Sequence, residues 1–353
     1  MKNSYYLFFF ALLALFLLSF PTVSADRGMI PIEPEVSVYE PGQKAIVAWN
    51  GQEEILILST DVKANGGTWV LEMMPLPSNP TVIEKAGFES FITIQNLIWA
   101  HAPEVLGRYW GGVNETEGVE VVFHEKIGAH DIMVVNSSNA PNFVQWIEGF
   151  LEANEISRVI SLQNFESVIE DYMARGFRFF VLDLIDLSSE QRSIEPILYR
   201  FETHFLYYPL KISSPISGDT KITLFVLTKS DIGSGFFFIL YYPLSMASYR
   251  SRTYWRPIQL NLTRGELDTI DLRIGELFED NAWLTVLEYE GPLNGLKKDL
   301  MIPESSVSIL NYIRSGGNAG YMLLGAGLVV GALCAAVIAT SAYLVTRVKR
   351  VKK

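Results

Sequence analysis

The residues most able to do chemistry are four histidines, His101, His124, His130 and His204, and a large excess of carboxylates. His124-Glu125 and His130-Asp131 place two imidazoles and two carboxylates within eight residues. A zinc-protease helix needs His-Glu-Xaa-Xaa-His, which sets both imidazoles on one helix face, and this spacing does not supply it. Glu276, Glu279 and Asp280 form the densest local carboxylate group. Paired carboxylates can serve a glycosidase, but neighbouring acids are expected in a chain with 39 of them. No Gly-Xaa-Ser-Xaa-Gly elbow, Ser-Xaa-Xaa-Lys motif or phosphate-cradling glycine loop occurs. The one cysteine, Cys334, lies in a long apolar run, so the rest of the chain has neither a thiol nucleophile nor a disulfide. The motifs therefore leave catalytic residues unassigned, and no cofactor-binding or metal-ligating set is expected.

Asn114-Glu-Thr116, Asn136-Ser-Ser138 and Asn261-Leu-Thr263 are sequons, so Asn114, Asn136 and Asn261 are candidate glycosylation sites. Phe236-Phe237-Phe238, Tyr241-Tyr242 and Tyr254-Trp255 cluster within 20 residues. Such aromatics can stack on sugars or peptides or fill a core, and core packing is the simpler use.

The ends of the chain bracket these residues. Residues 1–25 have the form of an export signal: Lys2, an apolar run from Leu7 to Phe20, Pro21, and Val23-Ser24-Ala25 as a small-residue cleavage pattern. Ala319 to Val345 is an uncharged run of 27 residues, longer than the roughly 20 a helix needs to cross a bilayer. Residues 319–346 are accordingly expected to form one transmembrane helix. The basic tail 347–353, with Arg347, Lys349, Arg350, Lys352 and Lys353, is expected to stay in the cytoplasm. Gly327, Gly331, Ala335 and Ala339 recur every four residues and offer a helix-packing face, suited to a homodimer or a second membrane protein.

All 39 acidic residues lie between Asp26 and Ser315, against 22 basic ones, which gives that portion a net charge of −17. Such a surface repels phosphate backbones and excludes nucleic acid as a natural partner. The patterning predicts an α+β fold, β-rich, with a few mid-chain helices and the C-terminal membrane helix. Ala45–Trp49 and Glu54–Leu58 flank Asn50-Gly51 as a hairpin with a type I′ turn. Asn65-Gly66-Gly67 is a second turn, and the strand from Thr68 is expected to stop at Met74-Pro75, since Pro75, Pro77 and Pro80 cannot donate to a ladder. Phe88–Ala100 reads as helical, and Val119–Phe123 and Asp131–Val135 as strands. Phe143, Val144, Ile147, Phe150 and Leu151 make one helical face behind Pro141; Phe165, Val168, Ile169, Tyr172 and Met173 make another, capped by Gly176. Phe177–Ile185, Leu198–Phe205, Lys221–Thr228, Gly235–Tyr242 and Ala282–Tyr289 read as strands. Leu206-Tyr-Tyr-Pro-Leu210 recurs as Leu240-Tyr-Tyr-Pro-Leu244. The expected organisation is signal 1–25, an α+β region 26–190, a β-rich region 191–302 that can share its domain, a stalk 303–318, membrane helix 319–346 and tail 347–353.

Ala45-Ile-Val-Ala-Trp-Asn-Gly51, Ile55-Leu-Ile-Leu58, Met74-Pro-Leu-Pro-Ser78, the helix around Trp146, Tyr172-Met-Ala-Arg-Gly176-Phe and Tyr208-Pro209-Leu210 together resemble a family of exported prokaryotic proteins. That family is catalogued as domain of unknown function 2330. The likeness covers about residues 27 to 230. It implies an extracytoplasmic domain, often with a C-terminal anchor, and carries no catalytic residue. Cysteines near the mature N-terminus, expected in that family, are absent here. The reading is thus a single-pass membrane protein whose bulk lies outside the cytoplasm and acts as a binding or interaction module. A surface hydrolase built from sequence-distant residues and an accessory subunit docking through its membrane helix are the alternatives.

Overall fold

The computed structural model describes residues 30–31, 38–39, 43–64, 68–101, 125–127, 130–153, 162–187, 192–216, 218–232, 243–250 and 255–304. The predicted signal segment, the stalk beyond Glu304, the membrane helix and the tail, with Gly327, Gly331, Ala335 and Ala339, lie outside them, as do Asn114, His124, the strands at 119–123 and 235–242, and most of the aromatic cluster; Pro303, the first predicted stalk residue, ends a strand. No helix among the described residues is long and apolar enough to cross a membrane.

The protein is α+β and β-rich. The first strands are β1 (Ile30–Pro31), β2 (Val38–Tyr39), β3 (Gln43–Trp49), β4 (Glu53–Ala64), β5 (Thr68–Leu76), β6 (Val82–Lys85), β7 (Glu125–Ile127), β8 (His130–Asn136) and β9 (Phe179–Leu187). They are followed by β10 (Arg192–Glu202), β11 (Phe205–Tyr208), β12 (Asp219–Thr228), β13 (Ser245–Met246), β14 (Ser248–Arg250), β15 (Trp255–Pro257), β16 (Gln259–Leu262), β17 (Ala282–Pro292) and β18 (Leu300–Pro303). Five helices accompany them among the described residues: α1 (Glu89–His101), α2 (Ala140–Ala153), α3 (Gln163–Ala174), α4 (Arg264–Ile270) and α5 (Leu272–Leu277).

The larger sheet has the order β13-β17-β12-β3-β4-β10-β6, with β16 also on β17 and β2 on β4. The β12–β3 ladder is parallel and the other described pairs are antiparallel. Its central strands are apolar on both sides and both faces are covered. Ile46, Ala48, Ile55, Ile57, Phe225, Leu227 and Leu284 point to one face and form a core with Phe91, Ile94 and Ile98 of α1, Leu267 and Ile270 of α4, and Ile274 and Leu277 of α5. Ala45, Val47, Trp49, Leu56, Leu224 and Val226 point to the other and are equally buried. Against this second face lies β11, whose Tyr207 backbone N–H donates to Glu54 at 2.7 Å and whose Tyr208 hydroxyl donates to Gln43 at 3.0 Å.

The smaller sheet has the order β1-β5-β9-β8-β7. Two chain segments build both sheets. β4 pairs with β10 in the larger one, and their continuations β5 and β9 pair with each other in the smaller one. Helix α2 covers the smaller sheet through Phe143, whose ring lies 4.7 Å from that of Phe180 on β9.

Local chemistry explains most boundaries. Trp49 and Glu54 are the last ladder pair of the β3–β4 hairpin, and Asn50 N–H donates to the Glu53 carbonyl. Gly51 takes φ 101°, and the Asn50 side chain accepts the N–H groups of Gln52 and Glu53. The turn is thus displaced by one residue from the expected Asn50-Gly51 centre, because Asn50 closes the loop with its side chain and leaves the positive φ to Gly51. Helix α3 ends as read: Gly176 takes φ 94°, its N–H and that of Phe177 return to the Met173 and Tyr172 carbonyls, and the Phe177 ring packs on Tyr172. Pro75 does not stop β5, which runs on to Leu76. There β5 has β9 on one side, while β1 reaches only Val70 and Leu71 on the other, and a strand with an open side tolerates proline. Pro196 sits in β10 where its register with β4 shifts between Ile194 and Ile197.

Candidate functional site

Three groups of buried ionisable side chains stand out, each placed by strand alternation or a helix end. The first centres on His130. Glu72 of β5 and Asp183 of β9 are directly opposite each other in the ladder, and His130 of β8 is one pair further along the same face. His130 and Asp183 are each 3 % exposed and Glu72 is 6 % exposed. His130 Nδ1 lies 2.5 Å from Asp183 Oδ2, and its Nε2 lies 3.1 Å from the carbonyl oxygen of Glu195 in β10. Burial alone would lower the proton affinity of the imidazole. The Asp183 carboxylate, with a further contribution from Glu72, outweighs that and holds His130 above the ordinary histidine range.

The second group is Glu54 of β4, fully buried beside Trp49 and Phe201 in the ladder. One carboxyl oxygen accepts the Tyr207 N–H; the other has no protein partner. Burial pushes its proton affinity well above the carboxylate range, and the Tyr207 bond offsets this only in part. Folding therefore takes up a proton at any pH between the ordinary value of 4.5 and the raised one, and stability from this group falls as pH rises across that window. Glu54→Gln keeps an acceptor for Tyr207 and removes the titration. The variant should match wild type near pH 4 and become the more stable of the two toward pH 7, read as Tm against pH. An unchanged pH slope would show that Glu54 is ionised in the folded protein.

The third group is built on Asp299, whose carboxylate is fully buried. It accepts the Tyr172 hydroxyl at 2.6 Å, Arg175 Nη1 at 2.9 Å, and the backbone N–H groups of Leu210 and Lys211 at 3.0 and 2.9 Å. Tyr172 Oη in turn accepts the Ile212 N–H at 3.1 Å. The Arg175 guanidinium lies over the Tyr172 ring and is also paired with Asp171, which Lys211 holds from the other side. This group locks the end of α3, the 3-10 turn Lys211–Ser213 and the segment before β18 into one another.

The residues singled out from the sequence are dispersed. His130 does not meet Asp131, because adjacent strand residues face opposite ways; its partner is Asp183, 53 residues on. His101 ends α1 and pairs with Glu266 at 2.6 Å, and His204 is exposed. Glu276, Glu279 and Asp280 are exposed. Asn136 and Asn261 are exposed at β8 and β16, but the hydroxyl of Thr263, the third residue of the second sequon, is taken up in the capping box of α4 with Glu266. Of the aromatic cluster, Trp255 is described and is 58 % exposed. On α2, Trp146 is 43 % exposed and stacks on Phe150. Glu54, Glu72 and Asp183 were overlooked by a search for motifs. Their signal was a carboxylate at the edge of or inside an apolar run: Glu54 before Ile-Leu-Ile-Leu, Glu72 in Trp-Val-Leu-Glu-Met-Met, Asp183 in Phe-Phe-Val-Leu-Asp-Leu-Ile.

A family model described as "Uncharacterized protein conserved in bacteria (DUF2330)" matches residues 21–235. Comparison with curated proteins finds no match. Among solved structures the chain is similar to the crystal structure of baculovirus P35, at 10 % identity over 76 % of this chain and 97 % of that one, with a TM-score of 0.43. A mutated baculovirus P35 after caspase cleavage gives 8 % identity, 75 % and 99 % coverage and a TM-score of 0.41. The caspase-8/P35 complex gives 8 %, 74 %, 96 % and 0.37.

Proposed function

This chain belongs to the bacterial family DUF2330, and from that premise we propose that it is a single-pass, membrane-anchored protein whose body acts outside the cytoplasm by binding. The observation that carries the binding part is where the buried acids and bases point. Glu54, Glu72, His130 and Asp183 are at most 6 % exposed and the Asp299 carboxylate is fully buried. Glu54, His130, Asp183 and Asp299 are held by backbone groups or by one another. These buried ionisable groups thus face the interior, where their hydrogen bonds fix the fold. The exposed ring of Trp146, stacked on Phe150, and the exposed Trp255 give the outer surface aromatic contact points of the kind that anchor interfaces.

Anchoring is supported by the uncharged run Ala319–Val345 and the five basic residues after it. The Gly327, Gly331, Ala335, Ala339 stripe suits close approach of a second helix, from another copy or a neighbouring membrane protein. Protease added to intact cells should digest the body between residues 43 and 304, and the chain should stay with the membrane through an alkaline wash. A body that resists external protease while being digested in lysed cells, or a chain released by the wash, would overturn the reading.

A further inference from the structure

We propose that His130 is a proton-operated clamp between the two sheets: charged, it ties β8 and β9 to the bulge of β10, and loss of its proton frees that junction to open. The contact exists because of a flaw in the β10 ladder. Residues 195 and 196 fall in the register shift against β4, so the Glu195 carbonyl is left out of that ladder, and His130 Nε2 meets it from the other sheet. A carbonyl only accepts, so Nε2 must carry a hydrogen. Asp183 stands 2.5 Å from Nδ1 and, when ionised, also only accepts. Both bonds are therefore made together by the imidazolium. A neutral imidazole has one N–H, and it must either turn a lone pair on Asp183 or abandon the Glu195 carbonyl.

The other groups facing His130 increase the consequence. Glu72 stands across from Asp183 on β5. From β10 the Glu195 backbone faces the ring, while the Glu195 carboxylate is turned to Lys85 on β6. The cationic ring thus sits against two buried carboxylates, with water screening largely excluded at 3 % exposure. Removing its charge takes the cation away from the buried Asp183 carboxylate, and the least costly relief is to admit water by parting β9 and β8 from β10. The helix-covered face of the larger sheet takes no part in this.

The sign follows from the geometry. A histidine held above its ordinary range stabilises the closed junction fully below about pH 6.5 and ceases to do so as pH rises through its folded-state value. The clamp is therefore closed below about pH 6.5 and released as pH rises through the folded-state value.

The test uses the full chain in detergent micelles. Amide hydrogen exchange in β8, β9 and β10, corrected for base catalysis, should show opening that grows between about pH 5.5 and pH 9.5, by about tenfold for each pKa unit by which His130 is raised. Exchange in β3 and β12 should not follow. In His130→Gln the junction should be equally open at both pH values. Ring-signal titration of the four histidines in wild type, assigned by single substitutions, should place His130 above 6.5, and this readout decides even if the variant does not fold. A His130 that titrates at or below 6.5, or a junction equally protected at about pH 5.5 and pH 9.5, would overturn the clamp.

Discussion

Replacing Asp299 with alanine should destabilise the protein by about 3–5 kcal/mol, the range seen when one partner of a buried ion pair is removed. The carboxylate is fully buried and satisfies four donors at once: Arg175, Tyr172 and the N–H groups of Leu210 and Lys211. Alanine leaves a half-buried guanidinium without its inner partner and two backbone donors with nothing in reach. Tyr172→Phe is the informative companion. It removes one donor to Asp299 and one acceptor for Ile212, leaves the ion pair intact, and should cost only about 1–2 kcal/mol. Chemical denaturation with an unchanged m-value reads both. A loss below about 1 kcal/mol for Asp299→Ala would mean that water replaces the carboxylate easily and that the group is not a structural lock.

The second large effect belongs to the apolar core. Phe225 on β12 is fully buried, pairs in register with Ile46 and Val286, and meets the Phe91 ring of α1 edge-on at 6.3 Å. It sits where the centre of the larger sheet meets its helices, so the site cannot collapse without moving both. Phe225→Ala should cost about 3–5 kcal/mol, while Phe225→Leu, which keeps much of the volume, should cost about 1–1.5 kcal/mol. Urea midpoints would show this ordering. Equal losses for the two variants would indicate that edge-on ring contact, not filled volume, holds this layer.

Local structure was legible in the sequence and long-range pairing was not. The hairpin at Asn50-Gly51, the apolar faces of α2 and α3 and the Gly176 cap depend on residues within a few positions of one another, and periodicity and turn chemistry report them. Nothing in Ala45–Trp49 says that its other neighbour is Asp219–Thr228, or that β4 and β10 each continue into a second sheet, because pairing partners leave no mark in one strand's own pattern. The expected stop at Pro75 failed for the same reason: whether a proline breaks a ladder depends on whether a strand lies on its other side. The buried acids were missed because motif spacing looks along the chain, while His130 and Asp183 are neighbours across a ladder. Asp131, the carboxylate next to His130 in sequence, faces away from it.

The parallel ladder between β3 and β12 joins positions 179 residues apart, Gln43 with Ile222. Pairings between sequence-distant strands, β12 with β3 and β10 with β4, build the centre of the larger sheet, which places the protein among chains of high contact order that fold in milliseconds to seconds or more slowly. The ribosome must deliver residue 228 before the middle of this sheet can close, and residue 292 before β17 can cover its flank. During that wait the finished β3–β4 hairpin presents a bare apolar edge, the kind of surface on which nascent chains misassemble. Yield at high expression should therefore be limited by how fast the chain is completed rather than by how stable the completed protein is.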